Sequence, residues 1–174
     1  MTDDVFPDRD MEHDDKISWI VDTNGWCAEP VAARDDPPTP GYTYSIGFET
    51  TYDHPEVAIF GLQPVAARGL MEMMAEYLGA GGVIPQGVFI GLLDNELPSA
   101  MLPMDLEEFD GMFDGAVRFH RGRPFRLSQF VWPDRNGSLP WNEEYDERLR
   151  LAQPVLGNFA EPELVTVDDD PADT

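Results

Sequence analysis

The stretch YTYSIGFETTYDHPEVAIFGL, residues 42–62, decides the fold. Its second half, EVAIFGL, is a continuous apolar run of strand length. In its first half, aromatic or aliphatic residues occupy every second position, which is the period of a β-strand. Because the connection between the halves is only about half a dozen residues long, we predict an antiparallel hairpin. The alternating residues are Tyr42, Tyr44, Ile46 and Phe48.

The hydrophobic period changes after the hairpin. Pro64 is well placed as the first residue of a helix, and GAGG at residues 79–82 supplies its end. We predict one principal amphipathic helix that packs its methionine-rich face on a sheet, because methionine fills irregular gaps in a core. Its apolar residues recur at three- and four-residue spacing: Ala66, Leu70, Met73, Met74 and Tyr77.

Further elements are predicted on both sides of this unit. An apolar run at 17–21 begins a short helix, and an Asn24-Gly25 turn follows it. Downstream, GVFIGLL, AVRFH and FRLSQFVW are predicted strands, and DLEEFDGMF is a helical or turn element. Strands that do not alternate regularly with helices favour an α+β fold with a mainly antiparallel sheet over a doubly wound fold.

The length of the chain fits one domain with two tails. Its 174 residues can bury a core without a disulfide or a structural metal. Pro, Asp and Glu dominate both ends, and such composition resists folding. We therefore place an acidic flexible tail at 1–16, a single α+β domain at 17–157 and an acidic tail at 158–174.

Composition also limits the partners and the compartment. A net charge of −23, from 11 Lys+Arg and 34 Asp+Glu, disfavours binding to nucleic acid or to an anionic membrane. No signal-peptide pattern and no apolar run of membrane-spanning length is present, so we predict no membrane association. The single cysteine, Cys27, excludes an internal disulfide framework and favours a cytoplasmic location.

Three titratable side chains lie at the joint of the hairpin: Asp53, His54 and Glu56. Pro55 biases His54 away from helix and holds these groups close together. A histidine beside carboxylates suits general acid–base catalysis, so His54 and Glu56 are candidate catalytic residues. In the alternative interpretation, Asp53 closes a turn, His54 ends a strand and Glu56 faces solvent.

A second cluster is WPDRNGSLPW, residues 132–141. The spacing of its polar residues resembles the start of an EF-hand, but Leu139 stands where that loop requires Gly, which excludes an EF-hand. In the simpler interpretation, Trp132 and Trp141 pack over the edge of the sheet. In the other, the two rings and Asp134 face a small ligand, to which the rings supply contact area and the carboxylate supplies orientation. Asp134 is also a candidate catalytic residue.

A third cluster, RFHRGRPFR at 118–126, is basic within an acidic chain. On a strand, Arg118 and His120 would share one face, and Arg118 and Arg126 would bind a carboxylate or phosphate. The alternative is a solvated hairpin whose arginines neutralise acidic neighbours. Tyr44 joins the two arginines as a candidate ligand-binding residue.

Cofactor and thiol chemistry find little support in the sequence. It has no P-loop, no GxGxxG, no HExxH and no GxSxG motif. No cofactor is predicted; the one alternative is a divalent metal held by His54, His120 and a carboxylate. Cys27 could pair with His54 as a nucleophile, but a lone cysteine is more often a small buried hydrophobe.

Several short motifs together resemble the bacterial domain of unknown function DUF4262, over residues 17–157. The resemblance implies that these segments form one domain, and it implies no particular activity. The motifs are Gly25-Trp26, Tyr44-Ser45-Ile46-Gly47-Phe48, His54-Pro55-Glu56, Gly61-Leu62, Trp132-Pro133-Asp134, Pro140-Trp141 and Gln153-Pro154-Val155-Leu156-Gly157.

Two classes of function remain open. The first is a non-catalytic domain that binds a small molecule or a protein partner, and its support is the lack of a complete catalytic constellation. The alternative is a small enzyme, a hydrolase or a metal-assisted one, that uses His54, Glu56, Asp134 and an arginine. Convergence of these side chains in one pocket would favour the enzyme. A homodimer is compatible with either class, because symmetric dimers are common.

Overall fold

The computed structural model describes residues 12–92 and 97–158, together with the backbone of 165–166. None of the helices in this part of the chain has the length and apolar character needed to cross a membrane. The helices are α1 (His13–Asn24), α2 (Phe48–Tyr52), α3 (Pro64–Gly79) and α4 (Asp114–Phe119). The strands are β1 (Cys27–Val31), β2 (Arg34–Asp35), β3 (Pro38–Thr39), β4 (Tyr42–Ile46), β5 (Glu56–Phe60), β6 (Gly87–Ile90), β7 (Ser99–Met104), β8 (Leu127–Val131) and β9 (Val165–Thr166). Leu106–Phe109 and Glu147–Leu149 form short 3-10 helices.

The predicted hairpin is part of a seven-stranded sheet. Strands β4 and β5 pair antiparallel, with Tyr42 opposite Phe60 and Tyr44 opposite Ala58. The strand order is β1-β4-β5-β8-β7-β6-β9, in which only β5–β8 and β6–β9 are parallel pairs. Strands β2 and β3 form a separate ribbon. The α+β fold with a mainly antiparallel sheet is therefore confirmed.

Helix α3 covers one face of the sheet. It begins at Pro64, as predicted, because the first turn of a helix does not need the N–H that proline lacks. Met71 and Met74 on this helix are both 0% exposed, so methionines fill the core. The same cluster contains the strand residues Val57, Ile59 and Phe130.

Helices α1 and α4 cover the opposite face. Ile17 and Val21 of α1 and Ala116 of α4 pack in one cluster with Tyr44. Gly115 allows α4 to approach closely, because a Cβ atom there would lie 2.7 Å from the Tyr44 hydroxyl oxygen. The Gly115 N–H instead donates a hydrogen bond to that oxygen at 3.1 Å.

The prediction of a strand at AVRFH was wrong. These residues form the end of α4 and its C-cap, His120. Arg118 and His120 therefore do not share the face of a strand: Arg118 is exposed, whereas His120 is buried. Five residues with two alternating apolar positions fit a helix equally well, and in the structure the Gly115 N–H near the start of this helix bonds to the Tyr44 hydroxyl.

Strands β1 and β7 were not predicted from the sequence. Each contains a proline, Pro30 or Pro103, and proline argues against a strand because it cannot donate a ladder hydrogen bond. The sheet tolerates both residues for positional reasons. Strand β1 lies at the edge, and β6 begins opposite Met101, so Pro103 has no β6 residue to pair with.

Helix α1 begins at His13, before the predicted start of the domain at residue 17. In the sequence Asp14 and Asp15 belong to an acidic run, whereas in the first turn of the helix their negative charges interact favourably with the helix dipole. Asp14 also accepts a hydrogen bond from Arg118 Nε at 2.9 Å. The helix ends where Asn-Gly predicted a turn, at Gly25 with φ 93°.

Candidate functional site

One end of the sheet collects several of the candidate side chains. Strands β5 and β8 run parallel and begin there, with Glu56 opposite Leu127. Strand β7 ends there, because Met104 is also opposite Leu127. Since β6 is antiparallel to β7, it begins at the same end. We call this the His54 end, because His54 lies just before β5.

Glu56 is the central polar residue of the His54 end. It is 0% exposed, and its carboxylate accepts four hydrogen bonds, each at 2.9 Å. Four donors compensate the cost of burying a carboxylate. The interpretation that Glu56 faces solvent was wrong, because its partners come from β4, α2 and the end of α4. The donors are Ser45 Oγ and the Phe48 N–H to Oε1, and the Gly47 N–H and His120 Nε2 to Oε2.

Two of these donors extend the network. Ser45 Oγ donates a hydrogen bond to Glu56 and accepts one from the Val57 N–H at 2.9 Å, so the hydroxyl acts as both donor and acceptor. His120 Nε2 carries a proton, because a carboxylate can only accept. The His120 ring stacks on Phe125, with the ring centroids 4.4 Å apart. The network therefore ties together two strands, helix α4 and the segment before β8.

His54 is buried beside this network but does not belong to it. It is 5% exposed, and its Nδ1 lies 2.8 Å from the Pro55 carbonyl oxygen, so Nδ1 carries the proton and Nε2 is a lone-pair acceptor. Nε2 has no hydrogen-bond partner among the described residues. Burial lowers the pKa of the imidazole below its ordinary value of 6.5, although the bond to Pro55 opposes this effect. His54 is thus a neutral ring with an unmet acceptor.

Arg126 fixes the loop that carries His54. Its Nη2 lies 2.9 Å from Glu49 Oε1, from Asp53 Oδ1 and from the Asp53 carbonyl oxygen. Desolvation raises the pKa of Glu49, but the hydrogen bonds from Arg126 outweigh it and leave that pKa lowered. Asp53 has a left-handed conformation with φ 51°. Arg126 therefore holds a strained residue in place next to His54.

A cavity of about 520 Å³ lies at the His54 end. We call it the His54 cavity; it is lined by residues 53–55, 83–86, 103–104 and 125–128. Most of the lining is apolar, and Val83 is 76% exposed there. Its polar groups include Gln86, whose Oε1 accepts a hydrogen bond from Ser128 Oγ at 3.1 Å. The volume suits a small molecule.

Asp134 lies at the other end of the sheet. It follows the end of β8, whereas Glu56 is opposite the first residue of β8, so the length of the strand, roughly 13 Å, separates them. Asp134 Oδ1 accepts the N–H groups of Asn136 and Ser138, and Oδ2 accepts that of Asp146. The carboxylate thus organises its own loop. The structure does not bring Asp134 together with His54 and Glu56.

The two tryptophans also lie at this second end. Trp132 Nε1 donates to the Phe60 carbonyl oxygen at 2.8 Å, and its backbone bonds to Gln153. Trp141 packs against a small cluster that includes Leu139 and Val131. Both rings therefore help to close the edge of the core, as in the simpler interpretation of this loop.

The remaining candidate residues lie in separate parts of the structure. Arg118 pairs with Asp14 on the surface formed by α1 and α4. Tyr44 is 3% exposed, and burial raises the pKa of its hydroxyl. Cys27 is buried in the cluster that contains Ile17, and burial raises the pKa of its thiol to about 12. Among the predicted ligand-binding residues, only Arg126 lines the His54 cavity.

The described residues contain no group of three or more His, Cys, Asp or Glu side chains placed to hold a metal ion. His54 and His120 both lie at the His54 end, but the Nε2 of His120 is occupied by Glu56. His54 offers one nitrogen, Nε2, because its Nδ1 is bonded to Pro55. The two histidines therefore bond to different partners and do not form one set of metal ligands.

Sequence reasoning missed several residues of this end. Ser45 and Gly47 stand out in the sequence only as parts of a motif, although both donate hydrogen bonds to the Glu56 carboxylate. The sequence pattern predicts a strand at His120 and indicates no role for Gln86 or Ser128. The available signal was the alternation of β4, which places the hydroxyl of Ser45 on the face opposite Tyr44.

Comparison with known proteins gives one positive finding. The model of the family described as "Domain of unknown function (DUF4262)" matches residues 20–146, well over half of the chain. No curated protein and no solved structure matches the sequence.

Proposed function

The chain belongs to the DUF4262 family, and from that premise we propose that it is a non-catalytic binding domain whose small-molecule ligand occupies the His54 cavity. The observation that carries this proposal is the cavity itself. It has a volume of about 520 Å³, an apolar wall, and the buried ring of His54 with an unmet acceptor at its boundary. Ligand sites commonly combine an apolar lining with a few such polar groups.

The lining favours a neutral ligand with an apolar body and an N–H or O–H donor. Arg126, the cationic group of the cavity, is already paired with Glu49 and Asp53, so it offers little charge to an anion. Neutral His54 can only accept a hydrogen bond at Nε2. Because Nε2 is covered in the free protein, binding would shift a side chain in the wall to expose it.

The environment of Glu56 supports a binding role over a catalytic one. Its carboxylate is inaccessible and already accepts four hydrogen bonds, so it is poorly suited to take a proton from a substrate. Asp134 and Arg118 lie away from the cavity. The enzyme alternative, with His54, Glu56, Asp134 and an arginine, therefore has less support than binding.

The location and partners of the protein also belong to this proposal. A cytoplasmic location is supported by the single, buried Cys27, which needs no oxidising compartment. The large negative charge supports a partner other than nucleic acid or an anionic membrane. We expect the partner to be the small molecule in the cavity rather than a macromolecule.

A fragment screen tests this proposal. Ligand-observed NMR would be run with neutral aromatic amides and alcohols on the wild-type protein and on Val83→Asp, which places a charge in the apolar lining. Leu151→Asp is the matched control, because Leu151 is 89% exposed and lies outside the cavity. Hits that disappear with V83D and persist with L151D would support the proposal. An absence of hits, or hits that V83D leaves unchanged, would contradict it.

A further inference from the structure

Gln86 brings a side-chain amide into the wall of the His54 cavity. It is exposed and directly precedes Gly87, the first residue of β6. Its Oε1 accepts a hydrogen bond from Ser128 Oγ at 3.1 Å. Because β7 separates β6 from β8, the Gln86 side chain reaches across the end of β7 to Ser128 on β8. Both residues line the cavity.

Ser128 fixes which end of the Gln86 amide is available to a ligand. Ser128 is 1% exposed, and a buried O–H group is costly without an acceptor. Gln86 Oε1 is the acceptor that the described residues provide for it. If the amide were turned over, its NH2 group would face the hydroxyl, and the O–H proton would lose that acceptor. Ser128 therefore holds the carbonyl end of the amide, and the NH2 end points away from Ser128.

The NH2 group of Gln86 remains as a donor in the wall of the cavity. Its Nε2 bonds to no acceptor among the described residues, and the residue is exposed. The other side chains of the wall that can donate already bond within the protein. These bonds are Ser128 to Gln86, His54 Nδ1 to the Pro55 carbonyl oxygen, and Arg126 to Glu49 and Asp53.

We propose, on the basis of the proposed function, that Gln86 determines the specificity of the His54 cavity by donating a hydrogen bond from Nε2 to a carbonyl oxygen of the ligand. The ligand is then a neutral carbonyl compound with an apolar body. A carbonyl oxygen accepts a hydrogen bond without carrying a charge, so it suits a wall whose cation, Arg126, is already paired. Ser128 is a positioning residue, because it acts on the ligand through Gln86.

The test compares benzamide with aniline at neutral pH. Both probes are uncharged and share an aromatic ring and an NH2 group, and benzamide has a carbonyl group in addition. Amide resonances of the wild-type protein are followed during each titration. We expect saturable binding of both probes, with benzamide binding roughly tenfold more tightly because it makes one more hydrogen bond. The side-chain NH2 resonance of Gln86 should move downfield only with benzamide.

Three variants test the roles of the two residues. Gln86→Glu keeps an acceptor for Ser128 but has no N–H, so it should weaken benzamide binding roughly tenfold and leave aniline binding at least as tight as in wild type. Gln63→Glu is the matched control, because it makes the same change at an exposed glutamine outside the cavity. Ser128→Ala should weaken the binding of benzamide but not of aniline, a change in selectivity that a purely structural role would not produce.

The outcomes distinguish this inference from the proposed function. Binding of neither probe, or binding that Val83→Asp leaves unchanged, would overturn both. Equal affinities of the wild-type protein for the two probes, or equal benzamide affinities of wild type and Q86E, would overturn the role of Gln86 while the cavity remains a ligand site. An equal loss of benzamide binding in Q63E would also overturn that role, because the added charge alone would then explain the effect.

Discussion

His120 donates its Nε2 proton to Oε2 of Glu56 across 2.9 Å, although the two residues are 64 positions apart in the chain. Glu56 is 0% exposed and His120 is 8% exposed, so the bond lies inside the protein. It joins the end of α4 to the start of β5. The geometry of the His54 end depends on this contact, because Glu56 also holds the backbone of Gly47 and Phe48.

Replacement of Glu56 by Ala should destabilise the protein by about 3–5 kcal/mol, because four buried donors would lose their acceptor. Glu72→Ala is the control: Glu72 is on the exposed side of α3, where its pair with Arg68 contributes less than about 0.5 kcal/mol. Urea-induced unfolding measures both. A loss below about 1 kcal/mol for E56A would show that the network does not hold the fold.

Gly47→Ala should also be costly, for two separate reasons. Gly47 has φ 112°, where an L-residue is strained by about 1–2 kcal/mol. Its Cβ would also lie 2.6 Å from the Gly25 carbonyl oxygen. Gly81→Ala is a matched control, because Gly81 has φ 96° but no atom of the described residues lies within 4 Å of its Cβ position. In thermal unfolding, G47A should have a clearly lower Tm than G81A. Equal Tm values would contradict the close contact at the Cβ position of residue 47.

The burial of His54 predicts a pH dependence of stability. Its folded pKa is lowered, so between that value and the ordinary 6.5 the unfolded chain binds a proton that the folded protein does not. The free energy of unfolding should therefore fall as the pH drops below 6.5. Above 6.5 both states are neutral at His54, and this contribution has no slope.

The difference between wild type and His54→Gln isolates this contribution from those of the carboxylates and the other histidines. Urea unfolding at a series of pH values should show a smaller loss of stability on acidification in H54Q. Parallel curves for the two proteins would mean that His54 is protonated equally in the folded and unfolded states.

Cys27 should be unreactive in the folded protein. It is 7% exposed, and burial, with a smaller effect from Glu29, raises its pKa to about 12. Thiolate, the reactive form, is therefore scarce at pH values near neutrality. Mass spectrometry after iodoacetamide treatment should find no adduct on native protein and full labelling in urea. Rapid labelling of the native protein would show that the thiol is accessible.

The elements that the sequence predicts well are those with a strong local pattern. The alternation in β4, the apolar run of β5 and the period of α3 are visible within single windows of sequence, and the structure contains all three. The alternation was extended one residue too far, because Phe48 begins α2 instead of continuing β4. The segment AVRFH is too short to separate helix from strand by period alone. In the folded protein α4 contacts Tyr44, which is distant in sequence, and a local pattern does not contain such a contact.

The candidate site was less predictable for the same physical reason. His54 and Glu56 are neighbours in the chain, but one is an unmet acceptor and the other a fully bonded carboxylate. That difference arises from Ser45, Gly47, Phe48 and His120, which reach Glu56 only in the folded protein. Asp134 also follows a strand in the sequence, but the length of β8 separates it from His54 and Glu56.

The most direct test of the proposed function is an amide chemical-shift titration of wild-type protein with the strongest neutral hit of the fragment screen. Binding in the His54 cavity predicts saturable shifts confined to residues 53–55, 83–86, 103–104 and 125–128, with a change at the Nε2 resonance of His54. Shifts centred on the Asp134 loop, or shifts that do not saturate, would contradict the account.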